Sequence, residues 1–206
     1  MASLQSGTRT SALNGWRLTG LIALSLLAMC AAGALLVPDR TEAIRLLIRM
    51  TARTSLLLFL LAFTASALAR LAPSAASRWV RANRRYIGVS FAISHGLHLA
   101  AIVALARQDP ALFDSLTSPV SLIGGGFAYV LIALMAATSF DSTARLIGPR
   151  AWRLLHLTGS WVVWIIFLNS YGRRALENPV YIPPVALLLL AVTLRLWAAR
   201  ARRAAA

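Results

Sequence analysis

A chain of 206 residues with 59% hydrophobic side chains, only 13% charged ones and a mean hydropathy of +0.71 is too apolar for a soluble domain, and reads as a membrane protein. Its formal charge of +15 comes wholly from arginine, and these arginines stand between apolar runs rather than on one polar face, which argues against nucleic acid as a partner. The single cysteine, Cys30, excludes an internal disulfide framework and cannot supply the ligands of an iron–sulfur cluster or a c-type haem.

Six stretches are long enough to cross about 30 Å of hydrocarbon as helix: Trp16–Val37, Thr54–Ala72, Tyr86–Ala106, Val120–Phe140, Trp152–Tyr171 and Tyr181–Ala198. Period-two alternation is absent, so a transmembrane β-barrel is a poor reading. The first stretch follows Arg9 and Arg17 as a signal peptide would, but five similar segments come after it, and it reads as a retained helix. Between the first and second, Pro38 to Arg53 is expected to lie along the membrane surface. If the second helix instead begins near Thr41, Arg45, Arg49 and Arg53 form one cationic stripe. The segment from Pro73 to Arg85 is a second surface connection.

The third stretch carries His95 and His98, three residues apart and so on one broad helix face, with Gly88 and Gly96 thinning the helix nearby. In the fourth, Gly124, Gly125 and Gly126 suit close packing or a local kink better than phosphate binding. The fifth holds His156, followed by Gly159 and Ser160, and Pro183 and Pro184 open the sixth as an N-terminal turn. No connection is long enough for a flavin or nicotinamide domain, so residues 1–206 read as one transmembrane domain.

The arginines set the orientation. With a cytoplasmic N-terminus, the inner side holds Arg9, Arg17, Arg70, Arg78, Arg81, Arg84, Arg85, Arg145, Arg150, Arg153, Arg195, Arg200, Arg202 and Arg203. The outer side keeps Arg40, Arg45, Arg49, Arg53, Arg107, Arg173 and Arg174, half as many. Both termini are therefore expected in the cytoplasm.

Imidazole within a span is costly unless paired, so the three histidines point to function. Two neutral imidazoles from facing helices suit the axial positions of a haem iron, an arrangement for electron transfer. A plain structural role, with Ser94 or Thr158 as hydrogen-bond partners, is the competing reading. Zinc or copper is weaker, since no acid or thiolate stands near as a fourth ligand. At 1.5 Å per residue, His156 lies about 6 Å from the inner end of its span, His95 about 13 Å and His98 about 18 Å. Depth alone therefore favours His95 over His98 as the partner of His156. Haem propionates need cations near the interface, for which Arg84, Arg85, Arg150 and Arg153 are inner candidates, and Arg49 and Arg53 outer ones. Trp161 and Trp164 read as helix-interface filling, and the aromatic residues near span ends as interfacial anchors.

The runs Arg84-Arg85-Tyr86-Ile87-Gly88-Val89, with Leu97-His98 following, and Gly148-Pro149-Arg150-Ala151-Trp152-Arg153-Leu154-Leu155-His156 resemble the ferric-reductase-like transmembrane domain family. The nearest likeness within it is to the haem-binding membrane subunit of bacterial periplasmic methionine sulfoxide reductase systems, which the stretch from Arg53 to Ala65 also resembles. The resemblance implies a six-helix bundle in the bacterial inner membrane that binds haem b, one rather than two. It implies electrons arriving from a quinone, FMN or a cytoplasmic flavin reductase, and leaving to a periplasmic molybdoenzyme. It assigns iron ligation to His98 and His156, with His95 as a substitute or extra ligand. Asn169 stands where the family's second histidine on the fifth helix is expected, which puts an outer haem ligated from that helix in doubt. A stand-alone ferric or quinone oxidoreductase, and a haem-free scaffold or transporter, are the rival readings.

Overall fold

The computed structural model describes residues 13–204, so Arg9, one of the inner-side arginines, lies outside the described residues. The described residues form eight α-helices and one 3-10 turn. They are α1 (Gly15–Leu36), α2 (Arg40–Leu71), α3 (Ala75–Ala82), α4 (Arg84–Gln108), α5 (Pro110–Leu116), α6 (Pro119–Ala137), α7 (Asp141–Glu177) and α8 (Ile182–Ala204), the turn at Pro179–Tyr181 leading into α8. Six of the eight helices, all but the short α3 and α5, are long and apolar enough to cross a membrane. The chain is therefore a multi-pass membrane protein.

Two connections differ from expectation. Pro38 to Arg53 is not a surface strap: Asp39 caps α2 by accepting the Glu42 N–H at 2.7 Å, and the helix then runs unbroken to Leu71. No proline or glycine interrupts Arg40–Leu71, and helical hydrogen bonding continues through its charged stripe although hydropathy falls there. At the far end of the chain of spans, α6 stops at Ala137 rather than Phe140, and α7 starts at Asp141, well before Trp152. Gly148 breaks α7 with φ 74° and ψ 164°, and Pro149 follows where its missing N–H costs least. The Pro73–Arg85 connection is largely α3, closed by a Ser74–Ser77 capping box.

The helices are tied together at one end by a buried amide. Asn83, 3% exposed, accepts the Gly15 N–H at 3.0 Å and donates to Asn14 Oδ1 at 3.0 Å. Trp79 donates to the same Asn14 oxygen at 2.8 Å, and Arg70 donates to the Ala198 carbonyl at 3.0 Å. Thus the start of α1, the end of α2, the start of α4 and the last turns of α8 share what we call the Asn83 end. The opposite end carries Glu42, Arg173 and Tyr181.

α2 and α4 are the central pair, flanked by α1 and α8, while α6 and α7 pack on each other. The core is aromatic, with Phe59, Phe63, Phe91, Phe167 and Tyr171 around Leu56, Val163 and Leu188. Phe59 touches Phe63, Phe91 and Phe167 with ring centroids 5.1, 5.5 and 5.4 Å apart. Because lipid is as apolar as these side chains, close packing and buried polar contacts hold such helices together rather than hydrophobic transfer. A polar seam supplies the latter: Ser94 of α4 meets Thr54 at 3.0 Å and Ser55 at 2.9 Å on α2. Each such interhelical bond contributes on the order of 0.6 kcal/mol, enough to fix the register of the pair.

Candidate functional site

Helix geometry sorts the three histidines into two places. His95 and His98, one turn apart on α4, have ring centroids 5.3 Å from each other. His95 stacks on Tyr129 at 4.7 Å and meets Phe167 edge-on at 5.7 Å. Its Nδ1 is buried without a hydrogen-bond partner among the described residues, as are the hydroxyls of Tyr129 and Tyr171. His98 reaches the other way, to α2, where its Nδ1 lies 3.0 Å from Thr51 Oγ1.

His156 sits elsewhere, stacked on Trp152 at 4.3 Å with its Nε2 3.1 Å from Thr138 Oγ1 at the end of α6. Phe167, which marks the level of His95, comes eleven residues later on the same helix, about 16 Å farther along its axis. The structure therefore brings His95 and His98 together and does not bring either to His156. Ser94 and Thr158, the hydroxyls expected to serve the histidines, bond elsewhere: Ser94 to Thr54 and Ser55, Thr158 to the Leu154 carbonyl.

His156 opens onto a cavity of about 560 Å³ between α2, α4, α6, α7 and α8 at the Asn83 end. Its walls are Phe59, Phe63, Phe91, Ile132, Met135 and Trp152, with Gly88 and Ala92 leaving the α4 side low. Around this apolar body stand Arg81, Arg84, Arg85, Arg153 and Arg195, against a single acid, Asp141. Arg85 donates to Asp141 at 2.7 Å; Arg84 donates through Nε to the Ala62 carbonyl at 3.0 Å. Arg195 donates to the Phe63 carbonyl at 3.1 Å and lies 4.0 Å from the centre of the Phe63 ring and 5.1 Å from that of Trp161, two rings that meet edge to face. Each guanidinium has five N–H donors, so these single bonds leave most of them free for an anionic ligand.

Of the arginines expected at a site, Arg84, Arg85 and Arg153 line the cavity, whereas Arg49 and Arg53 lie toward the opposite end of the bundle on α2. There Arg45 pairs with Glu42, Arg49 stands 3.9 Å from the same carboxylate, and Arg53 is exposed. Arg195 was legible in sequence only as an inner-side anchor. Its place inside the last span, where a charge is costly, was the signal for a larger role. Met135, Thr51 and Thr138 carried no such signal. Asn169 is exposed on α7. Among the described residues no three His, Cys, Asp or Glu side chains converge on a metal-ion site, a constellation that ligation by one or two imidazoles does not require.

No curated protein and no solved structure matches the chain significantly. The family described as "Ferric reductase like transmembrane component" matches residues 49–167, a stretch that includes all three histidines and the walls of the cavity from α2 through most of α7. With more than half of its length matched, the chain belongs to the family of ferric reductase like transmembrane components.

Proposed function

We propose that this protein is a b-type haem subunit that carries electrons across the membrane, with His156 as an iron ligand in the cavity at the Asn83 end. The observation that supports this reading is the composition of that cavity: one imidazole and an aromatic, apolar body, ringed by arginines with one acid among them. The donor set fits haem b, whose ring is apolar and whose two propionates are anionic. When bound, haem supplies reversible one-electron exchange at its iron.

The chain's own residues do the rest. Phe59, Phe63, Phe91 and Trp152 give the cavity an apolar body, and His156 would supply the ligating nitrogen. Arg84 and Arg195, each already steadied by a backbone carbonyl, offer their remaining N–H groups to carboxylates in a preset orientation. Arg85 shares its donors with Asp141, so it is the weaker anchor. His98 and His95 mark a second imidazole position farther along α4, toward the other face of the membrane.

In this reading the Asn83 end faces the cytoplasm of a bacterial inner membrane, in keeping with the arginine bias. Electrons enter there from a quinone or a flavin donor and leave to an acceptor outside, a periplasmic molybdoenzyme acting on methionine sulfoxide being the most specific form. The family description supports a second reading, a stand-alone ferric or quinone oxidoreductase on the same haem.

Absorption spectra of protein purified after haem-replete expression test the proposal. A b-type Soret band is expected in the wild type, lost or strongly reduced in His156→Ala. A colourless wild type rejects it in favour of a haem-free scaffold or transporter. Reduction of added ferric chelate or quinone without a molybdoenzyme partner selects the second reading.

A further inference from the structure

The hydroxyls that meet His98 and His156 are themselves committed. Thr51 Oγ1 lies 2.6 Å from the Leu47 carbonyl oxygen, one turn back on α2, and 3.0 Å from His98 Nδ1. A carbonyl oxygen only accepts, and two oxygens at that distance repel unless a proton lies between them. The single proton of the Thr51 hydroxyl therefore points at Leu47, and toward His98 the threonine has only lone pairs to offer. The ring nitrogen must donate. A neutral imidazole carries one N–H, so Nδ1 of His98 holds it and Nε2 keeps the lone pair.

The same reasoning at α6 gives the opposite answer. Thr138 Oγ1 donates to the Leu134 carbonyl at 2.7 Å and stands 3.1 Å from His156 Nε2. Nε2 of His156 is thereby the donor, and Nδ1 keeps the lone pair. His95 has no such partner among the described residues, its Nδ1 being buried and unbonded.

We propose that Thr51 and Thr138 hold His98 and His156 in opposite tautomers, so that His98 presents its Nε2 lone pair and His156 its Nδ1 lone pair. The use of this arrangement rests on the haem reading, because iron takes whichever nitrogen is unprotonated. Ligation through Nε2 of His98 would leave its bond to Thr51 intact. Ligation through Nε2 of His156 requires the bond to Thr138 to break, whereas ligation through Nδ1 keeps it.

The test reads ring-nitrogen NMR shifts of full-length protein labelled with ¹⁵N-histidine, at a pH where the rings are neutral, with His95→Gln, His98→Gln and His156→Gln variants to assign the signals. His98 is expected to be protonated on Nδ1 and His156 on Nε2. Thr51→Val should abolish the bias at His98 alone, and Thr51→Ser, which keeps the hydroxyl and guards against misfolding, should restore it. Thr138→Val should act on His156 alone. His98 protonated on Nε2, or a bias unchanged in Thr51→Val, overturns the inference. Since these shifts are readable without haem, a colourless protein with the expected tautomers removes the haem reading and leaves this one standing.

Discussion

Met135 fills the space that any side chain at Gly159 would need: its Sδ lies 2.7 Å, and its Cε 3.1 Å, from where a Cβ on Gly159 would stand. Gly159 is one turn beyond His156, and Met135 is a wall of the His156 cavity, so α6 and α7 approach closely where an imidazole must keep its aim. Because the Met135 side chain is flexible and alanine favours the helix, Gly159→Ala is expected to change stability little while driving Met135 into the cavity and lowering haem content. The check is haem content and thermal melting of the single variant and of Gly159→Ala with Met135→Ala, where the smaller wall should recover part of the loss. Additive losses would show that the two side chains do not compete.

Arg195 and Asp141 should respond in opposite ways. Arg195→Gln removes a cation that faces the cavity and is expected to lower haem affinity roughly ten-fold or more, the scale of one lost charge-assisted hydrogen bond at about 1.5–3 kcal/mol. Asp141→Asn frees Arg85 from its carboxylate, whose side chain is 77% exposed, and should leave both stability and haem affinity undiminished. Haem titration of the two variants checks this. A loss in Asp141→Asn equal to that in Arg195→Gln would mean that the ring of arginines does not hold propionates.

Gly148 and Pro149 differ in what they tolerate. The backbone at Gly148 lies in a region open almost only to glycine, so Gly148→Ala should cost about 1–3 kcal/mol and displace Asp141–Ile147 from the Asn83 end. Pro149→Ala, at the first turn after the break, should change the melting temperature little. Equal destabilisation by both would place the kink under proline control.

Asn83→Ala should be the costliest single change in the α3–α4 corner. It leaves the Gly15 N–H without its acceptor, at about 1–3 kcal/mol for the unsatisfied donor, and Asn14 Oδ1 with Trp79 as its remaining donor. Limited proteolysis near residue 14 together with thermal melting measures it. A variant that melts like the wild type and resists cleavage would show that α1 is held by its apolar contacts alone.

The six spans were legible because each is an apolar run bounded by arginine, and that pattern survives whatever packs against it. The start of α2 was legible only as the alternative near Thr41, since Arg45, Arg49 and Arg53 lower hydropathy without lowering helix propensity, and the absence of glycine and proline from residues 40–71 marks the helix as continuous. The unequal depths of His95, His98 and His156 followed from counting residues at 1.5 Å each, and the structure keeps them at unequal levels. The resemblance pairs His98 with His156 across that offset. The partners of the histidines were hidden for a different reason: Thr51 and Thr138 come from other helices, while the hydroxyls close in sequence, Ser94 and Thr158, are spent on other acceptors.

The cavity also bears on where the working unit ends. Residues 49–167 contain every histidine, yet Arg195 and the fully buried Leu188 come from α8, beyond that stretch, and the amide clasp at Asn83 closes on α1, before it. A fragment trimmed to the matched residues would keep the candidate iron ligands and lose Arg195 from the chamber around His156, together with the clasp that ties α1 to Asn83.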